Sequence, residues 1–82
     1  MNYFPLKIIS LKQTLFDGLA MSVNLPSSEG ELTILKNHLP LITDLKGGKI
    51  KVKDENEKEY SFEIQKGFLE VNPEKVVILL NY

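Results

Sequence analysis

The chain has no cysteine and no arginine. The first absence excludes a disulfide scaffold, a thiolate metal site and a cysteine nucleophile. It also fits an intracellular, reducing setting. The second absence removes the planar fork that grips phosphates and base edges bidentately. All ten cationic residues are lysines, set against eleven acidic ones, for a net charge of −1. Nucleic acid is therefore not an expected partner. Long apolar runs are also missing. None approaches the ~20 residues that cross a bilayer as a helix. The opening MNYFPLKIISLKQ lacks the basic start and long apolar stretch of a secretory leader. No window holds apolar residues at helical spacing for three turns.

What is present is period two. Tyr60, Phe62 and Ile64 alternate with Ser61, Glu63 and Gln65, the pattern of a half-buried strand. Ile50 and Val52 alternate with Lys49, Lys51 and Lys53. The polar Asp54-Glu55-Asn56-Glu57 between them reads as a hairpin tip. Residues 49–53 and 58–65 are thus expected to pair antiparallel, with outer lysines opposite glutamates. Further strands are expected at 6–11, 20–25, 32–35, 68–71 and 76–80. Turn signals separate them at Asp17-Gly18, Pro26-Ser27-Ser28, Glu29-Gly30, Gly47-Gly48, Gly67 and Asn72-Pro73. The run 76–80 is apolar on both faces, which predicts a central strand covered on two sides, or an edge strand that something else covers. Many short strands with frequent turns define an all-β sandwich or barrel. At 82 residues with 43% hydrophobic content, this is one globular domain spanning 1–82. A domain of this size buries only about 60% of its unfolded surface, so its stability margin is thin.

Residues for chemistry are scarce. His38 is the only histidine, and no serine elbow accompanies it. It is expected to shape a corner by bonding nearby backbone. Glu29, Glu31 and His38 are the one conceivable three-ligand set, yet the two carboxylates merely flank a turn glycine. No metal or other cofactor is expected. Gly47-Gly48-Lys49 lacks the spacing of a phosphate loop. Lys46, Lys49, Lys51 and Lys53 read as a solvated face, balanced by Glu55, Glu57, Glu59 and Glu63. Leu39, Leu41 and Ile42 follow the histidine in a stretch without regular patterning. Apolar loop residues that cannot all pack inward mark a contact site. The residues alone therefore favour a protein-binding module over an enzyme. One such module is a stand-alone adaptor that binds by strand addition at an exposed edge.

Ordered motifs narrow this further. The segments are Leu15-Phe16-Asp17-Gly18, Val23-Asn24-Leu25-Pro26, Glu29-Gly30-Glu31-Leu32-Thr33-Ile34-Leu35, His38-Leu39-Pro40-Leu41-Ile42-Thr43 and Gly67-Phe68-Leu69-Glu70-Val71. With strands before and after them, they resemble the N-terminal β-domain of the epsilon subunit of F-type ATP synthases, called delta in mitochondria. The resemblance covers essentially the whole chain. Departures are Lys36-Asn37 where the family often has Pro-Gly, Lys66 for a frequent glycine, and Thr33 for another. Asn37 still suits a left-handed corner.

The resemblance implies a two-sheet sandwich of about ten short strands. It implies a non-catalytic rotor subunit of the central stalk that binds the gamma subunit and the c-ring, and so couples ion flow to ATP synthesis. The turn Glu29, Gly30, Glu31, Leu32 would face the c-ring. His38, Leu41 and Ile42 would contribute to that same lower face or to the gamma contact. The site would be the cytoplasmic face of the bacterial inner membrane, with the bilayer touched only through the complex. The family's C-terminal helical hairpin lies beyond this domain. Its inhibitory and ATP-binding roles are not expected of residues 1–82.

Overall fold

The structure is a computed structural model that describes residues 2–81. It contains eight strands: β1 (Phe4–Ile9), β2 (Thr14–Ser27), β3 (Gly30–Ile34), β4 (Leu41–Leu45), β5 (Gly48–Asp54), β6 (Glu59–Ile64), β7 (Gly67–Val71) and β8 (Val76–Leu80). No helix occurs among the described residues.

The strands form one hydrogen-bonded sheet folded into two layers, and β2 makes the fold. Its first half pairs with β1, and its second half pairs with β3 on one side and β5 on the other. The register with β5 slips between Ala20 and Ser22. A slip of this kind bends a strand and increases its twist. One layer is thus the start of β2, then β1, β8, β7 and β4. The other is β3, the end of β2, β5 and β6. A single pair, Ser27 with Leu45, ties β4 to β2 at the corner. All pairings are antiparallel except β1 with β8.

The long β2 corrects two expectations. The strand count is eight, not about ten, because residues 14–27 run unbroken through both layers. Asp17-Gly18 is not a turn: Asp17 pairs with Lys7 and Gly18 with Leu6. The chain reverses earlier, at 10–13. There the Ser10 hydroxyl oxygen accepts the backbone N–H groups of Lys12 (3.2 Å) and Gln13 (3.1 Å). This side-chain turn needs neither glycine nor proline. It leaves Leu11 outside the strand and exposed.

Alternate residues of every strand point into the gap between layers. Leu6, Ile8, Val23, Leu25, Leu69 and Ile78 are essentially solvent-free there. Two aromatic rings close one opening. Phe16 of β2 meets Tyr60 of β6 edge to face, with centroids 5.2 Å apart and planes at 75°. Tyr60 is held from outside as well. Its hydroxyl donates to Asp54 at 3.1 Å, and the Lys58 ammonium lies 5.2 Å from its ring centre.

Close approach explains two glycines. A Cβ on Gly48 would stand 3.0 Å from the Pro26 ring, and Gly48 has φ 151°. A Cβ on Gly67 would stand 2.8 Å from the Leu79 carbonyl oxygen.

Candidate docking surfaces

The first candidate surface is the β2–β3 hairpin. Ser27 pairs with Gly30, leaving Ser28-Glu29 as a two-residue tip, with Gly30 at φ 127°. The buried Ser27 hydroxyl donates to the Gly30 carbonyl and accepts the Glu29 N–H at 3.3 Å. The tip is braced from the side. Ser28 N–H donates to the Asp44 carbonyl (3.0 Å) and Lys46 N–H to the Pro26 carbonyl (2.8 Å). Glu29 and Glu31 are exposed, while Leu32 is half-buried and packs on the core. The hairpin therefore presents two carboxylates on a rigid mount.

His38 lies at the other end of the sandwich, in the β3–β4 connection. Asn37 adopts φ 67°, and His38 N–H donates to the Leu35 carbonyl at 3.2 Å. The ring Nδ1 lies 2.8 Å from the Leu39 carbonyl oxygen. That oxygen only accepts, so Nδ1–H is the donor. His38 is thus the backbone-bonded corner that the sequence suggested. It borders an open cleft of about 500 Å³ that Tyr3, Pro5, Leu39 and Asn72 also line.

The seven expected site residues do not gather. Glu29, Gly30, Glu31 and Leu32 share the hairpin. His38 lies beyond the far end of β3, past Ile34, in the connection to β4. Leu41 and Ile42 are not loop residues. They begin β4, paired with Val71 and Glu70. Leu41 is half-buried against the core, and Ile42 points the other way with 63% of its surface exposed.

That outward direction leads to a second surface. Ladder partners share a face, so register builds it row by row. One row is Ile42, Glu70, Val77 and Lys7. The next is Asp44, Phe68, Leu79 and Ile9. Phe68 is 42% exposed and Leu79 49%. Val77 and Ile9 are half-buried. Four strands at ~4.8 Å spacing make the face about 14 Å wide. An apolar stripe flanked by Lys7 and Asp44 and interrupted by Glu70, on the outside of a sheet, has the composition of a contact patch. Phe68, Val77, Leu79 and Ile9 were not among the expected site residues. The two-faced apolar run Val76–Leu80 was their signal. That strand is central in the ladder, and its outer face stays open.

This small β-sandwich therefore offers two candidate contact surfaces, an exposed apolar sheet face and a braced acidic hairpin. Residues 3–82 match the family model described as ATP synthase, Delta/Epsilon chain, beta-sandwich domain. The chain belongs to that family. It is 37% identical over 79 residues to an ATP synthase epsilon chain of Alkalilimnicola ehrlichii, which covers 96% of this chain and 56% of the relative. To the epsilon chain of Brevibacillus brevis it is 33% identical over 79 residues, covering 96% and 60%. The chain thus spans a little over half the length of these relatives. Its fold matches a chain of the Euglena gracilis mitochondrial ATP synthase with TM-score 0.84, at 22% identity, over 96% of this chain and 49% of that one. A chain of the Tetrahymena thermophila mitochondrial ATP synthase central stalk and c-ring matches at TM-score 0.80 and 16% identity, over 96% and 63%.

Proposed function

We propose that this chain is the β-sandwich domain of a central-stalk subunit of an F-type ATP synthase. It acts without catalysis, on the cytoplasmic face of a bacterial inner membrane. The outer face of β1, β8, β7 and β4 docks the gamma subunit, and the β2–β3 hairpin rests on polar loops of the c-ring. The observation that carries this reading is the open apolar stripe around Ile42, Phe68 and Leu79 in a member of this family. Exposed side chains of this size gain by being covered, at ~25 cal/mol per Å² of apolar area.

The two surfaces suit different tasks. The apolar face offers area and hence grip. The hairpin offers Glu29 and Glu31, which attract basic loop residues and exclude acidic ones, at only about 0–1 kcal/mol per exposed pair. A sandwich braced by the Ser28–Asp44 and Lys46–Pro26 bonds passes force between the two without bending at the hairpin.

The test is assembly. The chain should co-purify with the gamma subunit. In an assembled synthase, Glu31→Cys should cross-link to a cysteine placed in a c-subunit polar loop. No gamma binding would refute the stalk assignment. Gamma binding without any such cross-link would refute the hairpin's placement alone.

A further inference from the structure

The second layer ends in a free edge. Among the described residues, β6 pairs only with β5. That ladder runs unbroken from Gly48 with Ile64 to Lys53 with Glu59. β6 has no proline and no bulge to blunt it; the guard it carries is its charged outward row, which repels acidic strands and not basic ones. Its inward Tyr60 and Phe62 are only half-buried, so each still exposes apolar surface beside the edge. The other free edge, β3, is shorter at five residues and begins at a glycine.

Charge determines which strand can add. The outward residues of β6 are Glu59, Ser61 and Glu63, and Glu55 and Glu57 lie in the connection before it. The strand β6 already accepts on its paired side is Lys-Ile-Lys-Val-Lys, residues 49–53. There Lys49 stands opposite Glu63 and Lys53 opposite Glu59. A strand added on the free side would meet the same negative row, Glu59 first. A second copy of β6, paired antiparallel about Ser61, would set glutamate against glutamate at both ends, and like charges directly opposite repel.

From this edge we infer a peptide-binding site: β6 adds an extended partner segment with lysine or arginine at alternate positions and aliphatic residues between them. Main-chain bonds to β6 supply affinity. The basic side chains meet Glu59 and Glu63, and the aliphatic ones complete the cover over Tyr60 and Phe62. The surface is separate from the Ile42–Phe68–Leu79 face, so the inference stands or falls independently of the gamma contact.

The probe is a capped Lys-Ile-Lys-Val-Lys peptide titrated into the isotope-labelled 82-residue chain, followed by amide NMR. A Glu-Ile-Glu-Val-Glu peptide is the control. Residues 59–64 should show the largest shifts and slowed amide exchange. The reversed peptide should bind about tenfold or more weakly, since each opposed pair changes sign. Glu59→Gln should weaken the lysine peptide and narrow the gap between the two, with the rest of the spectrum unchanged. Equal affinities, or shifts centred on Ile42, Phe68 and Leu79, would overturn the site. So would concentration-dependent pairing of β6 with a second copy in place of the peptide.

Discussion

Single residues set the strain and the corners of this sandwich. Gly48 combines φ 151° with a Pro26 ring that leaves no room for a Cβ. Gly48→Ala should therefore cost about 1–3 kcal/mol. In a domain of this size that lowers the melting temperature by roughly 4–8 °C per kcal/mol, measurable by thermal scanning. The sequence showed Gly47-Gly48 as a turn, but the clash partner is 22 positions away and has no local signature. Asp54 behaves differently. Desolvation pushes its carboxyl up. The N–H groups of Lys58 and Asn56, the Tyr60 hydroxyl and the Lys58 charge outweigh that push and hold it below its ordinary 3.8. A lowered folded value stabilises above the unfolded one and is lost as pH falls through the folded value. The native chain should thus out-melt Asp54→Asn at neutral pH, with the gap closing below about pH 4. His38 was readable because its constraint is local: a positive φ at Asn37 and a bond to the next carbonyl. His38→Ala should leave gamma co-purification intact.

At the scale of elements, local pairing was legible and long-range pairing was not. The β5–β6 hairpin could be read directly, because alternation and a polar tip are written within 17 residues, Gly48 to Ile64. In the structure Asp54 Oδ1 accepts the N–H groups of Asn56 (2.8 Å) and Lys58 (2.9 Å), which fixes that tip. By contrast, β2 and β4 depend on partners far along the chain. Asp17-Gly18 carries a turn signal that six pairs with β1 override. Leu41 and Ile42 look irregular until β7 pairs with them. The link between layers can be tested as an element. Phe16→Ala should cost about 1–3 kcal/mol, since the ring is half-buried. A double-mutant cycle with Tyr60→Leu should return a coupling of about 0.5–1.5 kcal/mol for the edge-to-face pair. A coupling near zero would mean that each ring merely fills its own space.

At the scale of the molecule, function lies in what the sandwich leaves uncovered. Inside, no buried side-chain polar atom lacks a partner among the described residues. The outer face of β1, β8, β7 and β4 keeps large apolar side chains in water, at a cost that only a partner recovers. Of the two proposed surfaces, sequence reading named the hairpin and, on this face, Ile42 alone. Phe68 and Leu79 were missed because they become neighbours only through the β7–β8 register. The central claim is that this face holds gamma. The direct measurement is titration of purified gamma with the native chain, with Phe68→Glu, and with Lys51→Glu on the opposite layer. Phe68→Glu should weaken binding by about 30-fold, the ~2 kcal/mol of an interface anchor, while Lys51→Glu stays within a few-fold of native. Undiminished binding of Phe68→Glu, with Lys51→Glu abolishing it, would contradict the account.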